Sequence, residues 1–284
     1  MPSEKGIMSG AYLTVGRFPR GARAWLTSAM AILLVLVSPG TGGAQLRDEE
    51  FIRQQAPPYL ARFQKELEIC EKDWQQRKGP RPLVLRRLSQ LCFYLGELAE
   101  PGQRHAYYEK GKHYAEILRK EQPHRVEGHY WLAANLAGIA EVGGAGKALQ
   151  MLPEVVEIFS QAASLEPAYD QAGAHRALGS IFCEAPAWPI SVGDLDKARH
   201  HLTLAVRLAP ENSTNHLYLG YTLLQLGRIP EAKAELQQVF KATAHPVWPL
   251  GVEHDRREAR RLLKKLKETA ARPKQSPGIA PGRP

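Results

Sequence analysis

Residues 212–246 read NSTNHLYLGYTLLQLGRIPEAKAELQQVFKATAHP. One apolar stretch carries Leu219, Gly220 and Leu223; a second carries Ala232, Leu236 and Val239 and breaks at Pro246. Both have helical spacing. Pro230 suits the first turn of the second stretch, where its missing N–H has no helical partner anyway. The segment therefore reads as two antiparallel helices. Upstream, Ala209-Pro210, Glu166-Pro167 and Gln122-Pro123 close earlier units spaced 43 and 44 residues apart. The small positions Cys92, Ala133, Gly179 and Gly220 recur at intervals of 41, 46 and 41. A period in this range is the signature of stacked helical hairpins.

The pattern predicts an all-α superhelix of about four hairpins with an extra helix at each end. Their paired helices fall near 83–98 with 104–120, 124–140 with 153–164, 168–184 with 194–208, and 213–225 with 230–243. Two helices approach closely only where one offers little or no side chain. Cys92, Ala133, Gly179 and Gly220 supply that on the first helices, and Ala198 and Ala232 on the second. The first hairpin's second helix has an inner face of Tyr107, Tyr108, Gly111, Ala115 and Leu118. A preceding helix from about Pro57 carries Leu60, Phe63, Leu67, Cys70 and Trp74 on one stripe. The tail helix, about 253–271, carries Ala259, Leu262, Leu263, Leu266 and Ala270, ringed by Lys and Arg; it reads as a cap for the last repeat. Asp194 is placed to cap the helix that follows it.

This order of small, Leu, aromatic, Ala and Pro positions resembles the tetratricopeptide repeat (TPR). The fourth hairpin has the expected length. The third carries about seven extra residues between its helices and the second about ten. The second insertion includes Glu141-Val142-Gly143-Gly144-Ala145-Gly146-Lys147-Ala148 and reads as a flexible connection. It is no phosphate-binding loop, because Glu141 stands where that motif needs Gly and Ala148 where it needs Ser or Thr. The third insertion, Cys183 to Asp194, holds Pro186, Trp188 and Pro189 and reads as a stiff, partly apolar loop. Trp188 there either fills a gap between helices or presents a rigid aromatic anchor.

That insertion also carries a narrower likeness. His175-Arg176-Ala177-Leu178-Gly179 followed by Pro186-Ala187-Trp188-Pro189-Ile190-Ser191-Val192-Gly193-Asp194 resembles the T components of TRAP (tripartite ATP-independent periplasmic) transporters. Glu127-Gly128-His129-Tyr130-Trp131-Leu132-Ala133 upstream and Ala205 to Asn212 downstream continue it. The resemblance implies an exported helical protein that associates with a TRAP solute-binding subunit. Family members are commonly lipoproteins; here the first cysteine is Cys70.

Residues 24–37, AWLTSAMAILLVLV, follow Arg17, Arg20 and Arg23 and precede small residues ending at Ala44. This reads as a signal peptide spanning 1–44, with cleavage after about Ala44 into the periplasm. A retained anchor is the alternative, but the apolar run is short for a bilayer. The helical domain then covers 45–272, and the Pro/Gly-rich residues 273–284 read as a disordered tail. The net charge is +9, of which the leader holds +3 and residues 253–284 hold +6. The body is neutral and offers no basic face for nucleic acid. After leader removal no membrane contact is expected.

Cys70, Cys92 and Cys183 have no metal-type spacing and read as small buried hydrophobes; a Cys70–Cys92 bridge is the other option. The ten histidines form no HExxH or Cys/His cluster, so no metal and no cofactor are expected. No Ser or Cys nucleophile is paired with an ordered His and acid, so no catalytic residue is assigned.

The chain thus reads as a protein-interaction module, not an enzyme. Its candidate contacts are Trp188 and Pro189 on the insertion and Tyr130, Trp131, Asn135 and Arg176 on a concave face. Self-association is compatible with this. Two other readings are a general envelope scaffold and a carrier holding a small apolar ligand between hairpins.

Overall fold

The computed structural model describes residues 49–243 and 250–271. The leader, the break at Pro246 and the tail at 273–284 lie outside them. Ten helices fill the described residues: α1 (Glu49–Gln75), α2 (Arg81–Leu98), α3 (Pro101–Glu121), α4 (Val126–Val142), α5 (Gly144–Leu165), α6 (Tyr169–Glu184), α7 (Leu195–Leu208), α8 (Ser213–Gln225), α9 (Ile229–Gln238) and α10 (Leu250–Ala271). They pair as α2 with α3, α4 with α5, α6 with α7 and α8 with α9. This is the expected TPR-like stack, with α1 on its first hairpin and α10 on its last.

The small crossing positions act as the period implies. Cys92, Ala133, Ala198 and Ala232 are fully buried. A Cβ on Gly220 would lie 2.8 Å from Leu236 Cγ, and one on Gly179 would collide with Leu202. Close packing leaves no room for either added group. A core of Phe63, Leu88, Tyr108, Trp131 and Phe159 runs from α1 to α7. A smaller one, around Leu217, Leu236 and Leu262, seats α10 on the last hairpin.

Side-chain caps define two helix starts. Asp194 Oδ1 accepts from the amides of Asp196 and Lys197 at 3.0 Å, and Asn212 Oδ1 accepts from that of Asn215 at 3.0 Å. Buried Asp255 of α10 accepts from the Ser213 hydroxyl at 2.5 Å and the Thr214 hydroxyl at 2.7 Å. That places a carboxylate at the N-terminus of α8, the end where negative charge is favourable. His129 and His216 each bond the carbonyl of the proline six residues earlier, Pro123 or Pro210, at 2.8 Å. These contacts tie a first helix to the turn that precedes it.

Two expectations about prolines are corrected. α1 does not begin at Pro57 but runs through Pro57 and Pro58 from Glu49, and α5 does not begin at Pro153 but contains it. A proline withholds one N–H from a ladder, and a long helix with other contacts tolerates the loss. The second insertion is therefore no flexible connection. Gly143 and Gly144 make the turn, and the following residues lengthen α5 at its N-terminus.

Candidate functional site

The third insertion remains a loop, between α6 and α7. The Asp194 amide donates to Phe182 O at 2.8 Å, the Gly193 amide to Pro186 O at 2.9 Å, and the Ile190 amide to Ala187 O at 3.1 Å. Ala187 and Gly193 form a bridge across its base. A Cβ on Gly193 would run into the Ala185 carbonyl, so this closure needs glycine. The pinned loop presents Trp188 outward, with 85% of its surface exposed, beside exposed Pro189 and Ile190. Trp188 therefore fills no gap between helices.

The other four candidates lie elsewhere. Tyr130 and Arg176 line a cavity of about 380 Å³ on the face formed by the first helices α2, α4, α6 and α8, closed at one side by the start of α10. Trp131 contributes to its wall but is 1% exposed, stacked edge-on against Tyr94 and Tyr130 and donating from Nε1 to the Tyr169 hydroxyl at 3.0 Å. Asn135 is fully buried. Its Nδ2 donates to Trp131 O at 2.8 Å and Ser89 Oγ at 3.1 Å, which ties α4 to α2; Oδ1 has no hydrogen-bond partner but is buried too, so the side chain presents no surface to a partner. The candidates thus divide between an exposed loop and an interior groove.

The groove floor contains a feature that sequence reading missed. Asp170, Gln171 and Ala172 take φ of 50°, 56° and 62°, so the first turn of α6 is left-handed. For residues with a Cβ this costs roughly 1–2 kcal/mol each. Surrounding bonds over-determine it. The Tyr130 hydroxyl donates to Asp170 Oδ2 at 2.6 Å, and Arg176 Nη2 reaches the same oxygen at 3.4 Å. Gln171 O accepts from Arg176 Nη1 at 3.2 Å and Asn215 Nδ2 at 3.3 Å, while Gln171 Oε1 accepts from Asn212 Nδ2 at 2.6 Å. The three inverted residues all carry a Cβ; the adjacent glycine, Gly173, lies just past them, where a Cβ would collide with the Tyr130 hydroxyl oxygen.

The opposite end of the groove is acidic. Glu97 and Glu141 line it, near the C-termini of α2 and α4. The Tyr108 hydroxyl donates to Glu97 at 2.6 Å, and buried Arg104 reaches Glu141 at 3.1 Å. At the end of α6, Glu184 Oε1 is buried without a hydrogen-bond partner. Burial, and then the nearby Glu141 charge, push its carboxyl up to about 8. Burial also pushes the Cys92 thiol up to about 12 and that of Cys183 to about 11. All three cysteines are free. His175 Nδ1 lies 3.0 Å from His201 Nδ1, so one ring donates and the other accepts. Burial and then the His175 neighbour drive His201 down to about 4.

Among the described residues no helix is long and apolar enough to cross a membrane. No curated protein matches the chain. Among solved structures, a thermophilic TPR protein from Thermus thermophilus is similar in fold, with a TM-score of 0.54 at 19% identity over 76% of this chain and 100% of that one. A family model described as TRAP transporter T-component matches residues 63–269.

Proposed function

This chain belongs to the TRAP transporter T-component family, and from that premise we propose that it is an exported, non-catalytic accessory of a TRAP-type uptake system that binds the periplasmic solute-binding subunit. Its leader is removed near Ala44. The observation that carries the reading is the Trp188 loop. A large aromatic 85% exposed on a backbone-bonded loop contributes contact area on binding while losing little entropy. The contact is assigned to Trp188, Pro189 and Ile190.

The test is affinity between the purified protein and the solute-binding subunit from the same organism, measured by biolayer interferometry. Trp188→Ala is expected to weaken binding at least about tenfold, as loss of an interface anchor does. Its unfolding midpoint should not move, because the side chain packs against little. Unchanged affinity would remove the loop from the interface; no binding by the unaltered protein would sink the accessory reading.

A further inference from the structure

Glu97, Glu141 and Glu184 stand 44 and 43 residues apart, the period of the fold itself. They sit at the last or next-to-last residue of α2, α4 and α6. These first helices run in one direction, so their C-termini share a rim of the groove. That end of a helix already carries negative partial charge, and an acid there is the unfavourable choice. The chain makes it in three successive hairpins. Buried Arg104 is the guanidinium seen among them, held by Gly96 O, Tyr108 and Glu141. Glu184 keeps a buried carboxyl oxygen unbonded, next to the field of Glu141. Tyr218 of α8 lines the cavity, and burial, then the charges of Glu184, Asp255 and Glu141, push its hydroxyl well above the ordinary tyrosine range.

The wall running from this rim toward the far end is aromatic: Phe93 and Tyr94 lie within about a turn of Glu97, and Tyr130 and Trp131 line the same cavity farther along. Ring faces attract cations, most strongly where water is excluded. The lining guanidinium, Arg176, is committed to Asp170, Gln171 O and Asn215 Oδ1 at the far end, so an anion finds no open partner there. A purely apolar guest would leave carboxyl groups desolvated beside it. Among the described residues no three His, Cys, Asp or Glu side chains converge closely enough to hold a metal ion. Dispersed carboxylates beside aromatic rings suit a charge spread over an organic group. A cavity of about 380 Å³ falls within the size range of small-molecule sites.

We propose that the groove binds a small organic cation, its ammonium group held at the Glu97–Glu141 rim with Glu184 behind it and its apolar body against the Phe93–Trp131 wall. The site is separate from the Trp188 loop and does not depend on the transporter reading.

Isothermal titration calorimetry of the purified protein with three matched probes tests it: phenethylamine, phenylacetate and 2-phenylethanol. They share a ring and differ in charge. Phenethylamine is expected to bind at least about tenfold more tightly than either of the others. Glu97→Gln and Glu141→Gln, which remove charge from the two acids that line the cavity, should each weaken phenethylamine about fivefold or more and leave 2-phenylethanol unchanged, with helical circular dichroism intact. Equal affinity across the three probes, preference for phenylacetate, or failure of both substitutions to discriminate would overturn the proposal. None of these outcomes bears on the loop.

Discussion

Asp170, Gln171 and Ala172 invert the hand of the backbone at the start of α6, and each pays with a Cβ crowded against its carbonyl. The strain separates two alanines that look alike. Ala172 is fully buried in the inverted turn, and Ala174 is 1% exposed in the ordinary helix after it. Ala174→Gly loses a buried methyl and helix propensity, together about 1.5–2 kcal/mol. Ala172→Gly loses the same methyl but relieves roughly 1–2 kcal/mol of strain. It should therefore be no less stable than the unaltered protein, and up to about 1 kcal/mol more stable, in urea denaturation. Equal losses at the two positions would mean that the inverted turn stores nothing. None of this is legible from Asp-Gln-Ala, whose residue types are common in right-handed helices. The inversion is imposed from outside the segment by Tyr130, Arg176, Asn212 and Asn215.

Between elements, both insertions read as connections in the sequence, and the structure separates them. After Gly144 the chain reads Ala145, Gly146, Lys147, Ala148, Leu149 and Gln150, good helix formers apart from Gly146, so they join α5 despite Pro153. Residues 185–194 hold two prolines and a glycine and cannot do so; they close on their own carbonyls instead. Proline misled at Pro57 and Pro153 because its preference for first turns is a tendency, which a long packed helix overrides. Gly193 is the closure point of the loop. Gly193→Ala should displace the loop and lower affinity for the solute-binding subunit about as much as Trp188→Ala does. It should also reduce hydrogen-exchange protection at the Asp194 amide, which Trp188→Ala leaves alone. Intact protection in Gly193→Ala would show that the loop accommodates a Cβ.

Across the molecule, the period of small and apolar positions made the stack readable, because packing demands repeat wherever helices cross. Charge was not readable in the same way. Glu97, Glu141 and Glu184 pass for ordinary surface acids until stacking brings their helix ends to one rim. Trp131 and Asn135, expected on an open face, are interior, since aromatic and amide groups serve the core as readily as a partner. The hairpins are also less interchangeable than their common period suggests. The Tyr108 ring sits where a Cβ on either Gly96 of α2 or Gly138 of α4 would have to be, so the first two hairpins share a single wedge. The Gly128 backbone of α4 abuts that of Arg119 in α3, where a Cβ would meet the amide nitrogen at 2.6 Å. At the α6–α7 pairing the close contact is Leu202 on Gly179. The first two hairpins are thus keyed differently from the last two, where a leucine of the second helix sits on a glycine of the first, and the repeats are not freely exchangeable. A chain with residues 169–208 duplicated in tandem should melt no higher than the natural one, whereas freely exchangeable repeats gain stability with every copy added.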